Sequence, residues 1–104
     1  MEYLILESWD AGKNRRRRYA IQISGTGVSW YIRTRWGRIG AALKEQTEEV
    51  SDEKQLRKRV QGILRKRVRH RYCICERSRA FPEVPALGML EEEKMEEGMQ
   101  LRLF

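Results

Sequence analysis

The stretch Ser29-Trp-Tyr-Ile-Arg-Thr-Arg-Trp-Gly-Arg-Ile-Gly40 decides the fold that the sequence predicts. The two-residue alternation of a pleated strand sorts its side chains onto two faces. One face carries Trp30, Ile32, Thr34 and Trp36, and the other carries Tyr31, Arg33 and Arg35. Gly37 and Gly40 bracket Arg38 and Ile39, which predicts that the strand ends in a turn with positive φ. A rigid indole and a forked guanidinium two residues apart would suit a nucleic-acid end or a sugar-phosphate edge.

Trp36 has two interpretations that the sequence leaves open. Strict alternation places its ring with Trp30 and Ile32 in the core, whereas its position at the turn would present the ring to a ligand. Arg38 belongs to the turn in both cases, so its guanidinium is the better indicator of binding.

The surrounding sequence predicts a small antiparallel sheet of about four to five strands, crossed by one amphipathic helix, in the α+β class. The other strands are predicted at Tyr3–Trp9 (as an edge strand), Tyr19–Ile23, Ala42–Val50 and, as a strand or extended segment, Arg71–Glu76. In the second strand we expect Tyr19, Ile21 and Ile23 to face the core. Ser51 is predicted to cap the helix, whose apolar stripe is Leu56, Val60, Ile63 and Leu64.

Composition divides the chain into a domain over residues 1–77 and a linker with an acidic tail over residues 78–104. Pro82, Pro85 and Gly88 suggest the linker, and the glutamate-rich residues that follow suggest a flexible tail. The formal net charge is +7, but residues 1–82 hold 20 Lys and Arg against 9 Asp and Glu, a balance of +11. Residues 83–104 hold 2 against 6, a balance of −4. A basic body of this kind is expected to bind polyanions.

The run of Arg15, Arg16, Arg17 and Arg18 is the densest part of that charge. It could be a solvated loop or an arm that grips phosphates. Because four adjacent guanidinium groups repel one another, the sequence favours a polyanion partner here.

Several function classes find no support in the sequence. The N-terminus lacks the basic and apolar segments of a secretory signal, and no stretch approaches membrane-spanning length. Cys73 and Cys75, with His70, are poorly spaced for a metal, and thiols in a reducing cytoplasm are the better interpretation. No nucleophile, base or carboxylate pair forms a catalytic pattern, so we expect a cytoplasmic, nucleoid-associated protein that is not an enzyme and has no metal or cofactor.

The tripeptide Trp36-Gly37-Arg38, followed by Ile39 and Gly40, resembles the WGR domain, which is named for it. The resemblance runs from about Asn14 to Tyr72, and further features that carry it are the strand Arg18–Gln22, Lys44 after the turn, the helix opened by Ser51, and Tyr72 after that helix. It implies a small antiparallel sheet crossed by one helix, in a stand-alone bacterial or phage protein. It also implies a nucleic-acid-binding or interdomain role, as in the poly(ADP-ribose) polymerases and in bacterial proteins.

The last five residues, Gln100-Leu-Arg-Leu-Phe104, resemble the peptide by which bacterial polymerases and repair proteins dock on the sliding clamp. Gln100, Leu101, Leu103 and Phe104 match that pattern, and Arg102 departs from it. The resemblance implies a clamp partner for the tail. An apolar terminus that folds back on the body is the alternative.

Together these patterns predict a DNA-binding adaptor of replication or repair, expected as a monomer, that grips DNA ends, nicks or branched forms and docks on the clamp. The alternative is a protein-interaction module, or a clamp inhibitor, without intrinsic DNA affinity. The predicted DNA-binding residues are Arg15, Arg16, Arg17, Arg18, Arg33, Arg35, Trp36, Arg38 and Lys44.

Overall fold

Five antiparallel strands form one sheet, in the order β4-β3-β2-β1-β5. We describe it from a computed structural model, which describes residues 1–10, 12 and 15–91, with the backbone but not the side chain of Arg15. The elements in chain order are β1 (Glu2–Asp10), β2 (Arg15–Gly25), β3 (Trp30–Arg38), β4 (Lys44–Val50), α1 (Glu53–Arg69) and β5 (Cys73–Arg77), followed by a short helix, α2, over residues 85–91. The prediction of a small antiparallel sheet is therefore confirmed, with five strands.

The core lies on one side of the sheet, where the alternate residues of each strand meet the helices. Tyr19, Ile21 and Ile23 of β2 are buried, as predicted. In β3, Ile32 and Thr34 are buried, while Trp30 and Trp36 are partly buried against the core. The opposite side of the sheet carries the other half of the strand residues and has no described helix packed on it; we call this surface the open face.

Helix α1 packs its apolar stripe into this core. Leu56, Val60, Ile63 and Leu64 are buried in one cluster with the strand residues, which confirms the predicted stripe. The predicted cap was wrong by one residue, because Asp52 and not Ser51 is the N-cap. The Asp52 carboxylate accepts a hydrogen bond from the backbone N–H of Gln55 at 2.7 Å. A carboxylate satisfies this free donor and also complements the positive end of the helix dipole.

The C-terminal end of α1 closes in a Schellman motif that has arginine where glycine is usual. The Tyr72 N–H donates to the Arg67 carbonyl and the Arg71 N–H to the Val68 carbonyl, both at 3.1 Å. Arg71 has φ = +57°, a left-handed conformation that is unfavourable for a residue with a Cβ. The motif turns the chain so that Tyr72 enters the core directly before β5.

Residues 78–91 differ from the predicted linker. Five of them belong to the core cluster: Phe81, Val84, Ala86, Leu87 and Leu90. Pro85 is the first residue of α2, a position where a missing N–H costs nothing. The Pro and Gly residues that suggested a linker are thus part of a packed segment. The expectation of a single helix was also wrong, since α2 is a second one.

The position of β1 is a further correction. We predicted an edge strand, but β1 pairs with β2 on one side and with β5 on the other, so β4 and β5 are the edges. Its interior position explains why Leu4 and Leu6 are fully buried. In the described part of the chain, neither helix is long and apolar enough to cross a membrane.

Candidate nucleic-acid interface

The alternation of the strands divides the predicted DNA-binding residues between the two sides of the sheet. Arg16 and Arg18 of β2, with Arg33 and Arg35 of β3, lie on the open face. The residues with the parity of the buried side chains lie on the helix side instead, and these are Arg17, Trp36, Arg38 and Lys44. The predicted residues therefore form two groups on opposite sides of the sheet. Arg15 is assigned to neither group, because only its backbone is described.

The turn after β3 holds Arg38 at the end of the strand. Gly37 and Gly40 have φ values of +151° and +91°, which confirms the predicted positive-φ turn. The Ile39 N–H donates to the Arg16 carbonyl at 3.0 Å, and the Ala41 N–H donates to the Arg38 carbonyl at 3.1 Å. A Cβ at Gly37 would lie 3.3 Å from Leu43 Cδ2, and residues with a Cβ rarely adopt its φ value, so this position favours glycine.

Trp36 lies partly in the core, as the first interpretation predicts, and its role towards a ligand stays a prediction. Its ring stacks on Tyr19, with the ring centroids 6.1 Å apart and the planes at 26°. Tyr19 in turn meets Tyr72 edge-on at 6.3 Å. The three rings close this end of the core, yet Trp36 is only half-buried and also lines a cleft on the surface.

Arg67 lies on the buried side of α1, although its side chain is charged. Its guanidinium carbon is 3.9 Å from the centre of the Tyr19 ring and 5.7 Å from that of Tyr72. Its buried Nε has no hydrogen-bond partner in the described part of the chain. Stacking on two aromatic rings fixes the plane of the guanidinium group.

A cleft of about 270 Å³ runs between α1 and the two strands β3 and β4. Its walls include Trp36 and Gln46 on the sheet, and Gly62, Lys66 and Arg67 on the helix. Arg59 and Glu48 close one end with an ion pair of 2.5 Å, and their charges cancel. Lys66 and Arg67 are not neutralised in this way by any described carboxylate, so the cleft carries positive charge.

We call the helix-side surface around this cleft the basic end; its residues are Arg17, Trp36, Arg38, Lys44, Lys66 and Arg67. Arg17 and Arg38 face each other across β2 and β3, and Trp36 faces Lys44 across β3 and β4. Among the described residues, none of the five cations forms an ion pair. Like charges held close together without counter-charges favour the binding of an anion.

The arginines of the open face are largely engaged within the protein. Arg18 pairs with Glu7 at 2.7 Å, and Arg33 pairs with Glu45. The hydrogen bond from Arg18 lowers the pKa of the Glu7 carboxyl, and the one from Arg33 lowers the pKa of Glu45. Both carboxylates therefore stay charged at neutral pH and would repel a phosphate.

Trp9 and Arg16 form a separate pair at the end of the open face. The Arg16 guanidinium lies 4.4 Å from the centre of the Trp9 ring, and the Trp9 indole N–H donates to Glu7 at 3.1 Å. Trp9 is nevertheless 57% exposed. Exposed aromatic side chains and arginines are enriched at protein–protein interfaces, so this pair is typical of a protein contact.

The two cysteines lie on the edge strand β5 and form no disulfide. Partial burial and the neighbouring Glu7 carboxylate raise the pKa of the Cys75 thiol to about 11, so it is neutral at physiological pH. Within the described residues, no group of three His, Cys, Asp or Glu side chains could hold a metal ion.

Sequence reasoning missed Lys66 and Arg67 as site residues. A signal for Arg67 was present, because it lies four residues after Ile63 and seven after Val60, in register with the apolar stripe. A cation in that register must either leave the stripe or find an aromatic partner, and Tyr19 could not be identified as that partner from the sequence.

The predicted clamp-binding residues Gln100, Leu101, Leu103 and Phe104 lie outside the described residues. Residues 92–104 of the predicted flexible tail lie outside them too, whereas residues 89–91 belong to α2.

Comparison with known proteins adds one finding. A family model described as the WGR domain matches residues 3–80, which include all five strands and α1. This match is wider than the resemblance seen in the sequence, because it includes β1 and β5. Searches of curated proteins and of solved structures return no significant match.

Proposed function

We propose that this chain, which belongs to the WGR domain family, is a non-enzymatic adaptor that binds DNA through its basic end. The observation that carries the proposal is the group of five cations around Trp36 that no described carboxylate neutralises. Phosphates would supply the missing counter-charge. The chain acts as a monomer in the bacterial or phage-infected cytoplasm, and it carries out no reaction on the DNA.

Binding relies on phosphates and reads little sequence. The described helices offer no helix-turn-helix pair to the major groove, and α1 packs its apolar stripe on the sheet. The test is a salt titration of the full chain with a labelled duplex of arbitrary sequence. The logarithm of the binding constant should fall linearly with the logarithm of salt concentration, by about 0.9 for each phosphate contact. A binding constant independent of salt, or no binding at all, would refute the proposal.

DNA ends, nicks or branches are the preferred forms. A half-buried Trp36 beside an exposed Arg38 offers a small stacking surface, which an intact duplex cannot use because its bases are covered by their neighbours. The Arg38→Ala variant should keep its melting temperature and lose affinity for linear DNA more than for closed circles. Equal affinity of the unmutated protein for ends and circles would rule out this preference.

The C-terminal residues Gln100, Leu101, Leu103 and Phe104 dock on the sliding clamp of replication. This part of the proposal is supported by the sequence pattern alone. Burial of Leu103 and Phe104 in a partner would contribute about 1.5–3 kcal/mol for each side chain, offset by the ordering of the peptide. The contact is therefore weak, and it becomes effective when the body and the clamp share one DNA.

The clamp proposal is tested with purified bacterial clamp and two proteins, the full chain and a chain that ends at Met99. Only the full chain should bind. Equal binding by both, or no binding at clamp concentrations of tens of micromolar, about 6 kcal/mol of affinity, would remove the clamp from the proposed function.

A protein-interaction module, including a clamp inhibitor without DNA affinity, is the second candidate. The open face favours it, because Trp9 is exposed there and the nearby Arg18 already has an acidic partner in Glu7. Clamp binding without any salt-dependent DNA binding would select this candidate over the first.

A further inference from the structure

We propose that the cleft between α1 and the strands β3 and β4 holds a single nucleoside monophosphate, either free or as one unpaired nucleotide of a DNA strand. The base lies against Trp36, and the phosphate is bound by Lys66 and Arg67. The inference about DNA rests on the proposed function. The inference about the cleft itself does not, because a free nucleotide tests it directly.

The charge of the cleft fits one phosphate group. Arg59 and Glu48 neutralise each other, which leaves Lys66 and Arg67 as two positive charges. A phosphate monoester carries about −1.5 to −2 charges at neutral pH. A free nucleotide would therefore balance the two positive charges, whereas a phosphodiester within a DNA strand carries one negative charge and would balance one of them.

One hydrogen-bond donor of the Arg67 side chain, which lines the cleft, lacks an acceptor. The Arg67 guanidinium is held over Tyr19 at 3.9 Å, and its buried Nε has no described partner. A buried donor without an acceptor is unfavourable, and such groups in native proteins usually have a protein, water or ligand partner. Because stacking already fixes the guanidinium, little side-chain entropy is lost when a phosphate binds.

The size and shape of the cleft select one nucleotide. Its volume of about 270 Å³ lies just below that of sites for drug-sized ligands, which begin at roughly 300 Å³, so a second nucleotide would not fit. Trp36 supplies an aromatic surface, and the Gln46 side-chain amide can both donate to and accept from a base edge. A base that is paired in a duplex cannot enter, since its faces are covered.

Gly62 leaves the helix wall of the cleft open. A Cβ built at this residue meets only Arg59 Nη1, at 3.9 Å, within the described structure. A Cβ at Gly62 therefore has room, and we expect a leucine side chain at this position to fill part of the cleft. Glycine is also a poor helix former, so its replacement by leucine favours the helix.

The test uses the full chain with Gly62→Leu and Lys66→Gln, and Arg65→Gln as the matched control. Arg65 is exposed and neighbours Lys66, but it does not line the cleft. The probes are dAMP and inorganic phosphate, followed by the NMR signal of the Trp36 indole. We expect dAMP to shift this signal at lower concentration than phosphate does. Loss of a charged hydrogen-bond partner should weaken dAMP binding about tenfold in Lys66→Gln, whereas Arg65→Gln should bind as the unmutated protein does.

The Gly62→Leu variant shows whether a loss of dAMP binding comes from a blocked cleft or from unfolding, because its melting temperature is measured as well. This variant should melt at a temperature at least as high as the unmutated protein and should lose dAMP binding. If it fails to fold, Lys66→Gln against Arg65→Gln still decides the question. Shifts by phosphate equal to those by dAMP, or dAMP binding unaffected by both Gly62→Leu and Lys66→Gln, would overturn the nucleotide site.

A further experiment with DNA distinguishes a free nucleotide from an unpaired nucleotide of a DNA strand as the ligand of the cleft. A duplex with a short single-stranded overhang should bind more tightly than the blunt duplex, and Gly62→Leu should abolish the difference while keeping the salt dependence of blunt-duplex binding. An equal preference for the overhang in Gly62→Leu would overturn the DNA form of the inference. If no DNA binds, the proposed function fails, and the dAMP result still decides whether the cleft is a nucleotide site.

Discussion

The open face and the basic end carry similar numbers of cations but differ in what surrounds them. On the open face, Arg18 and Arg33 have carboxylate partners, and Arg16 stacks on Trp9. At the basic end, no described carboxylate pairs with Arg17, Arg38, Lys44, Lys66 or Arg67. The availability of a cation, and not its presence in the sequence, therefore decides where a phosphate would bind.

The strand β2 shows how this difference arises. Arg16, Arg17 and Arg18 are consecutive, yet the pleat sends Arg17 to the helix side and its two neighbours to the open face. Across the sheet Arg18 meets Glu7 of β1, whereas Arg17 meets Arg38 of β3. Two neighbouring arginines of the sequence thus differ in the folded protein. Arg18 is neutralised by Glu7, whereas Arg17 lies opposite another positive charge, Arg38.

The largest expected difference between the two regions is in the salt dependence of DNA binding after their positive charges are removed. We compare a triple alanine variant of Arg17, Arg38 and Lys44 with a triple alanine variant of Arg18, Arg33 and Arg35. The first should lower the salt slope of DNA binding by about 2.7, and the second by less than about 1, since each lost phosphate contact contributes about 0.9. Fluorescence anisotropy at several salt concentrations measures both slopes. Equal decreases would show that the two regions contribute alike.

Replacement of Trp36 at the basic end and of Trp9 on the open face should lower the free energy of unfolding by different amounts. Trp36→Ala removes a half-buried ring from the stack with Tyr19 and should cost about 2 kcal/mol, below the 3–5 kcal/mol of a fully buried aromatic. Trp9→Ala removes a ring that is 57% exposed and should cost less than about 1 kcal/mol. Urea unfolding gives both values. A larger loss for Trp9 would mean that the open face is covered in solution.

Arg71→Gly should raise stability next to the basic end without removing a phosphate contact. The left-handed conformation at φ = +57° penalises a residue with a Cβ, and glycine relieves this strain at some entropic cost, for a net gain of about 0.5–1 kcal/mol. Arg71→Ala is the control, because it removes the same charge and keeps the Cβ. A DNA affinity that falls equally in both variants would place Arg71 in the interface.

The smallest expected change in the free energy of unfolding is at Glu7 on the open face. Glu7→Gln breaks the ion pair with Arg18 and should cost about 0.2–1 kcal/mol at pH 7, as for exposed pairs in general. The folded-state pKa of Glu7 is lowered, so its contribution is complete above the unfolded value of about 4.3 and is lost as the pH falls through the lower folded value.

Urea unfolding at pH 7 and at pH 3 checks this prediction, with Glu49→Gln as the control. Glu49 lies on the same face and forms no ion pair among the described residues. The difference between Glu7→Gln and the unmutated protein should be smaller at pH 3 than at pH 7. A difference that grows in acid would contradict the assignment of the lowered pKa.

Much of the fold was predictable because it depends on short-range patterns. The alternation in β3, the glycines of the turn and the apolar stripe of α1 each determine a local structure, and all three predictions are confirmed. The segment after β5 was mispredicted for the opposite reason. Pro82, Pro85 and Gly88 resemble a linker locally, but Phe81 and Leu87 are buried by contacts with distant residues.

The candidate site was predicted only in part. Trp36 and Arg38 could be found from the tripeptide and the turn, and the helix-side position of Trp36 follows from strand parity. Arg67 could not be recognised, because its partner Tyr19 is far away in the sequence. The pairing of Arg33 with Glu45 was equally hidden, since it depends on the register between β3 and β4.

The sequence by itself determined the central strand β3, the helix α1, the positive-φ turn and membership of the WGR domain family, because these depend on residue spacing along the chain. The loop or arm predicted at residues 15–18 is instead the first part of β2. Only the tertiary structure decided the order of the strands, the burial of residues 81–90 and the partner of each arginine. The physical reason is that an arginine is neutralised only by a carboxylate close to it in space. Which carboxylate is close depends on the register between neighbouring strands, which spacing along the chain does not reveal.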